Sequence, residues 1–440
     1  MKAIGRRSLP LVLFLLAGLL YLPAPAAARM PRLTQSTNQI AQGLTLTKID
    51  DPSGPNRIRV LTVDPLSASV SLDMASAGRL PSLKTTSAMA QADGAIAAIN
   101  GDFGAFEGRP LHAFGVDGAL LQTGFQTGVS FAVSHDEQHL FVGPSRAKVV
   151  GRPIPSGAAF GVNRWNEDPA GSGQIAAFSP YGGSQQPPPT GECEVQLRRS
   201  SGLHWDANQS GVYRDYTVTT KTCGGAALRF SKRKGKVILE ARTSGAGSTT
   251  LRALQIASTV RMSWKMIDAS PWTGVMEMIG GMPLLVDNGN VVAKSCSSYF
   301  CSRNPRTGIG YTASGKVLLV TVDGRENGSV GMTLVGFAQE MKSLGAIEAV
   351  NLDGGGSTTM WVKGSGLVNV PADSTGERAI PNAVLVLPSS GEKEPNPLVA
   401  TLGPEPASST PELSSQLEMS DPGSTGGLMQ ALSEGAFGGV

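Results

Sequence analysis

Eleven short runs punctuate the chain, at 57–63, 69–75, 95–99, 129–133, 139–142, 236–240, 282–286, 316–322, 346–351, 358–362 and 383–387. Each is β-branched or alternates apolar with polar, and the runs are bounded largely by Gly, Pro, Asn or Asp, which is how strands read. Only two segments carry a helical period. One is 83–92. The other is 333–344 (TLVGFAQEMKSL), where Leu334, Phe337, Ala338, Met341 and Leu344 share a face and Gly345 stops the helix. Many strands and few helices predict an α+β fold. The strand–helix alternation of a doubly wound parallel sheet is missing. The 55 glycines among 440 residues suit a loop-rich chain, and without a G-X-Y period they exclude collagen. With 40% hydrophobic and 16% charged residues, a sizeable core is expected rather than a disordered or coiled-coil chain.

The two ends read differently from the middle. Lys2, Arg6 and Arg7 precede a 12-residue apolar run at 9–20, followed by small residues up to Ala28. This pattern predicts a secretory signal peptide over 1–28, too short in its apolar part for a bilayer core that needs about 20 residues. Residues 389–440 are rich in Pro, Ser, Gly and Glu without sustained period, and a disordered tail is expected. Of the net charge of +3, the leader carries +3 and the tail −6, leaving +6 on residues 29–388. That mildly basic balance suits an anionic small substrate or an envelope polymer and is far from a nucleic-acid footprint. No nucleic-acid partner and no stable membrane span are expected; the protein is read as secreted or periplasmic. The four cysteines favour disulfides in an exported chain. Three pairings exist, and proximity favours Cys193–Cys223 and Cys296–Cys301; a zinc site lacks any C-x-x-C pair. The stretch 161–218, with its Pro and Gly/Ser patches, reads as a surface insertion in one domain spanning 29–388.

The densest chemical signal is NLDGGGSTTM at 351–360. A strand ends, presents Asp353, and enters Gly354, Gly355 and Gly356, followed by Ser357 and Thr358. Consecutive glycines let main-chain N–H groups converge on phosphate oxygens. It is no P-loop, since no Gly-Lys-Ser/Thr follows, and no dinucleotide fingerprint. Similar polar strand ends carry Asn100 and Asp102, then Arg306 and Thr307, then Asp323 and Arg325. Such ends can converge on one pocket.

In order along the chain stand INGDF (99–103), GGMPLL (280–285), NPRTGIG (304–310), VDGR (322–325), GMTL (331–334), NLDGGGSTTM and ERAIPNA (377–383). This series resembles the phosphodiester glycosidase family over roughly 95–387. The resemblance implies hydrolysis of the bond between a sugar's anomeric carbon and a phosphodiester oxygen, as in an N-acetylglucosamine-1-phosphodiester or an envelope glycopolymer, on a fold of mixed sheets. It carries motif status to Asn100, Asp102, Arg306, Thr307, Asp323, Arg325, Asp353, Gly354, Gly355, Ser357, Thr358 and Arg378. Phe103-Gly104 departs from the family's doubled aromatic.

The residues fit that chemistry. An anionic phosphate leaves readily, so the site needs charge neutralisation and a carboxylate for the oxocarbenium-like centre or for water. Arg306, Arg378 and the 354–356 amides are the expected phosphate ligands. Asp353 and Asp102 are expected as nucleophile or base, with Asp323 either a third carboxylate or a scaffold partner of Arg325. No cofactor is required; the Asp/Asn loops are also compatible with a divalent cation, Ca²⁺ or Mg²⁺. His135 and His139 flank a hairpin turn rather than a zinc helix, and no G-x-S-x-G elbow occurs. Trp272 and Trp361 serve core or sugar stacking. The rival reading is a non-catalytic carbohydrate- or phosphoglycan-binding envelope protein.

Overall fold

The computed structural model describes residues 33–105, 108–124, 126, 128–134, 137–167, 171–182, 192–206, 211–225, 228, 236–266 and 275–389. The expected signal peptide, nearly all of the tail, His135 and Trp272 lie outside these residues.

Strand Val317–Val322 shows how the core is built. Its Leu319 belongs to one apolar cluster, while Leu318, Val320 and Val322 belong to another on the opposite face. The strand is therefore buried on both sides, which explains its continuous apolar run. It lies within an eight-stranded antiparallel sheet ordered Thr34–Ala41, Leu44–Asp51, Asn56–Val63, Val317–Val322, Arg306–Thr312, Ala346–Asn351, Leu284–Asp287 and Asn290–Val291. One face packs on a five-stranded sheet ordered Gly366–Leu367, Met360–Val362, Ala97–Asn100, Asn382–Pro388 and Val70–Ser76, through residues such as Leu61, Ile309, Ile99 and Val384.

Helices cover the outer faces. The first, α1 (Thr86–Ala92), is capped by Thr85, whose hydroxyl accepts the Ala88 N–H, and buries Met89 and Ala90 against Ala98 and Leu385. The second, α2 (Ala246–Ala253), was not expected. Its AGSTTLRA sequence reads as a loop, and its place is set by contact: a Cβ on Gly247 would come within 2.6 Å of the Gly173 carbonyl oxygen. The third, α3 (Leu334–Ser343), is capped by Thr333 and buries Leu334, Phe337, Ala338 and Met341 on the far side of the large sheet. Gly308 leaves room for Phe337, whose ring a Cβ would approach to 2.8 Å. Phe337→Ala is the kind of truncation that costs about 3–5 kcal/mol.

Two further sheets complete the molecule. A second five-stranded sheet runs Leu140–Pro144, Val129–Ser134, Val275–Gly281, Phe114–Val116 and Ala119–Gln122. Its first two strands pair antiparallel around the turn expected at 135–139. The segment read as a surface insertion instead contributes to a nine-stranded sheet with its own core of Trp165, Val195, Tyr216, Leu239 and Trp264. Strands as short as Arg164–Trp165 and Ala176–Phe178 leave no period to detect, and burial rather than local pattern makes them sheet. The fold is largely β, with 29 strands and three α-helices among the described residues, so the α+β expectation holds only in its broad form. Both expected disulfides, Cys193–Cys223 and Cys296–Cys301, are present.

Candidate active site

Asp353 leaves the large sheet just after Ala346–Asn351 and is held by its backbone. Its N–H donates to the Gly101 carbonyl at 3.1 Å, and its carbonyl accepts from Asn100 Nδ2 at 2.7 Å. Asn100 is fully buried, and its Oδ1 also takes the Thr307 hydroxyl at 2.8 Å and the Thr359 N–H at 3.0 Å. The Thr358 hydroxyl lies 3.3 Å from that of Thr307. Four strand ends are thus tied together under the glycine loop. The Asp353 carboxylate accepts the Gly354 N–H at 2.9 Å. Burial pushes its pKa up to about 6, with the Asp102 charge adding to the rise, while Ser357, Arg378 and the Gly354 amide pull down.

Two guanidinium groups press on the loop. Gly355 is left-handed, at φ +61°, and a Cβ there would stand 2.9 Å from Arg325 Nη2. A Cβ on Gly356 would overlap Arg378 and Asp373. Arg378 is aimed by a two-pronged bond to Asp373, at 2.8 and 3.0 Å, and Arg325 by Asn304 Oδ1 at 3.1 Å. Glu377, next to Arg378, accepts the Ser87 N–H in the first turn of α1 at 2.7 Å, so the helix anchors the segment that presents Arg378. Tyr299, 47% exposed, lies with its ring centroid 5.8 Å from the Arg325 guanidinium carbon.

Behind the loop lies a buried pair. Asp102 Oδ1 is 2.7 Å from His112 Nδ1 and accepts the Phe103 N–H at 2.7 Å, while Oδ2 accepts the His112 N–H at 2.8 Å. Both residues are fully buried. Burial drives the His112 pKa down, but the Asp102 charge and hydrogen bond outweigh it, and the net shift is upward. Gly280 and Gly128 make room for the ring, since a Cβ on either would overlap His112; this gives the GGMPLL stretch a structural reason. The Phe103 ring bridges His112 and Phe300, with centroids at 6.4 and 5.9 Å.

The structure therefore brings Asn100, Asp102, Thr307, Arg325, Asp353, Gly354, Gly355, Gly356, Ser357, Thr358 and Arg378 to one place. Two expected residues serve other partners. Arg306 is 3% exposed, and its Nε and Nη2 donate to the carbonyls of Met332 (2.9 Å), Phe300 (2.8 Å) and Ser302 (2.7 Å), so its reading as a phosphate ligand gives way to a role in fixing the 299–302 turn. Burial brings its pKa down to about 10. Asp323 accepts the Val370 N–H at 3.1 Å; burial lifts it to about 6, and the charges acting on it are those of Arg59 and Glu326 rather than Asp353. It does not pair with Arg325, whose guanidinium donates to Asn304. Trp361 is core. His112 and Asp373 escaped the sequence reading. The one available signal was that His112, among only four histidines, follows the INGDF motif by ten residues from Asp102. Among the described residues, no group of three or more His, Cys, Asp or Glu is arranged to hold a metal ion.

Residues 206–387 match the family model described as phosphodiester glycosidase, so over that stretch the resemblance read from the motifs is real. The match does not extend to Asn100, Asp102 or His112, which join the site through the fold. The chain is similar to the mouse N-acetylglucosamine-1-phosphodiester alpha-N-acetylglucosaminidase, 26% identical over 117 residues, covering 23% of this chain and 22% of that protein. The chain thus spans about a fifth of the mouse relative. Among solved structures, a hypothetical protein from Synechocystis aligns with TM-score 0.61 at 22% identity, over 82% of this chain and 64% of that one. A Burkholderia pseudomallei protein aligns with TM-score 0.53 at 23% identity, over 78% and 77%.

Proposed function

We propose that the protein is an exported glycosidase that hydrolyses the anomeric C–O bond of sugar-1-phosphodiesters, such as an N-acetylglucosamine-1-phosphodiester or an envelope glycopolymer. The observation that carries this reading is the glycine loop: Asp353 opens it, and two aimed guanidinium groups lie against Gly355 and Gly356. Arg325, Arg378 and the loop amides suit a phosphodiester's two free oxygens, because charge-assisted bonds to phosphate are the strong ones. Asp353 then faces the sugar. When the C1–O bond breaks, phosphate keeps the electron pair and leaves as a phosphomonoester, so no strong general acid is needed. Water supplies hydroxide to C1, either directly with Asp353 taking the proton or through a glycosyl ester on Asp353.

Asp102 does not compete for that role, because its oxygens are occupied by two main-chain N–H groups and His112. It and His112 form a buried support whose charge state bears on Asp353. The two closed disulfides favour an oxidising compartment. Export predicts a mature protein beginning at Arg29, readable by N-terminal sequencing.

Hydrolysis of UDP-N-acetylglucosamine or another sugar-1-phosphodiester in ¹⁸O water tests the reaction. The label should enter the sugar and not the phosphate, and Asp353→Asn should abolish release while the protein stays folded. Label in the phosphate sinks the proposal. Saturable binding without turnover across a substrate panel would instead mark a carbohydrate-binding protein.

A further inference from the structure

Asp373 does more than aim Arg378. Its carboxylate takes Nε and Nη2 of the guanidinium, at 2.8 and 3.0 Å. A guanidinium carries five N–H donors in a planar fork, so the end that holds Nη1 remains. Among the described residues no acceptor meets Nη1. The side chains of Arg378 and Asp373 are 37% and 25% exposed, so solvent reaches the pair. A phosphate oxygen taken by the remaining end stands one guanidinium away from a carboxylate. The same cation acts on Asp353, whose charge it favours. Arg378 is therefore shared by two carboxylates. Asp353 opens the glycine loop, and Asp373 lies against Gly356, where a Cβ would overlap both it and Arg378.

The segment that carries Asp373 is pinned on both sides. Before it, the buried Asn369 accepts the Met360 N–H at 2.7 Å and donates to the Thr358 carbonyl at 3.0 Å, and the Val370 N–H donates to Asp323 at 3.1 Å. After it, Glu377 holds the first turn of α1. The carboxylate is thus kept beside an incoming anion. Charge is also what separates substrate from product in the proposed hydrolysis. A phosphodiester carries one negative charge, whereas the phosphomonoester left after C1–O cleavage carries nearly two above its second pKa of about 6. Each added charge on the ligand is repelled by Asp353 and Asp373, in proportion to its size.

Building on the glycine loop as a phosphodiester site, we propose that Asp373 is a specificity-determining residue that sets the charge the site accepts. Its fixed carboxylate beside Arg378 tunes the cradle to monoanionic phosphodiesters and against dianionic phosphomonoesters. Sugar-1-phosphates are thereby disfavoured as substrates, and the phosphomonoester product is released as its second charge develops.

Dimethyl phosphate, a monoanion, and methyl phosphate, a dianion at pH 8, carry no sugar to be released, so their binding to the full protein, followed by ³¹P NMR, reads the cradle alone. The wild-type protein should hold dimethyl phosphate at least as tightly as methyl phosphate, and Arg378→Gln should weaken both. Asp373→Asn keeps an oxygen for Arg378 and removes the charge. It should tighten methyl phosphate about tenfold and dimethyl phosphate only about threefold, the square root expected for half the ligand charge. Were Asp373 merely a prop for Arg378, both anions would bind more weakly in the variant. Asp373→Ser takes its place if the Asn variant does not fold. Weaker binding of both anions, or an equal change in both, overturns the charge filter and leaves the phosphodiester reading standing. Failure of dimethyl phosphate to bind the wild-type protein, or binding indifferent to Arg378→Gln, removes the phosphodiester reading and the filter together.

Discussion

A carboxylate that serves a reaction near neutral pH has to be partly stripped of water without losing its charge, and Asp353 is placed for that. Burial lifts it to about 6, while Arg378 and the Gly354 amide hold it from rising further. Because the ionised form is the active one, kcat/KM for the proposed hydrolysis should fall roughly tenfold per pH unit below about 6 and level off above it. A rate flat from pH 4 to 7 would remove Asp353 from the reacting role. Asp102→Asn probes the support behind it. The variant leaves His112 buried without its counter-charge, and breaking such a pair typically costs about 3–5 kcal/mol. Denaturant unfolding should show that loss, and the Asp353-dependent pH limb should move to lower pH because a negative charge beside it has gone. A stable variant with an unmoved limb would mean the pair neither supports the fold nor reaches Asp353.

The turn at 296–302 shows how one short element can shape a site without supplying its reacting groups. Cys296–Cys301 closes it, and Arg306 clamps the carbonyls of Phe300 and Ser302. The turn in turn carries Phe300 to Phe103 and Tyr299 to Arg325. Opening so small a loop costs roughly 2 kcal/mol by the chain-entropy estimate. The double variant Cys296→Ser, Cys301→Ser should therefore lose about that much stability and raise KM more than it lowers kcat, since a wall moves and Asp353 does not. An unchanged KM would show that the turn is not part of the substrate's surroundings. This element also explains an error of reading. NPRTGIG presents an arginine at a strand start, but its side chain turns to carbonyls that only folding brings near.

Two sheets meet through a buried acid. Glu277, on Val275–Gly281, accepts N–H bonds from Met74 (3.0 Å) and Asp117 (2.8 Å) and contacts Asp73 on Val70–Ser76. Burial and the Asp73 charge raise Glu277 to about 10, and burial raises Asp73 as well. The folded protein keeps these protons after the unfolded chain has released its own near pH 4, so this pair's contribution to stability is greatest in acid and falls as pH rises from about 5 toward 10. Denaturant midpoints should decline across that range, and Glu277→Gln, which does not titrate, should flatten the decline. An equal slope in the variant would place the pH dependence elsewhere.

Local pattern was enough to read all eleven runs as strands, helices α1 and α3, the cysteine pairing and the loops that gather at the site, because each rests on neighbours within a few positions. The roles of Arg306, His112 and Glu277 did not follow from pattern. A polar side chain is defined by the partners left to it once the chain has closed, and those partners are far away in sequence, as Asn100 and Asp353 are at 253 positions. Residue type and spacing announce which groups can do chemistry; long-range packing, which decides who is desolvated and who is already bonded, selects the ones that remain available for it.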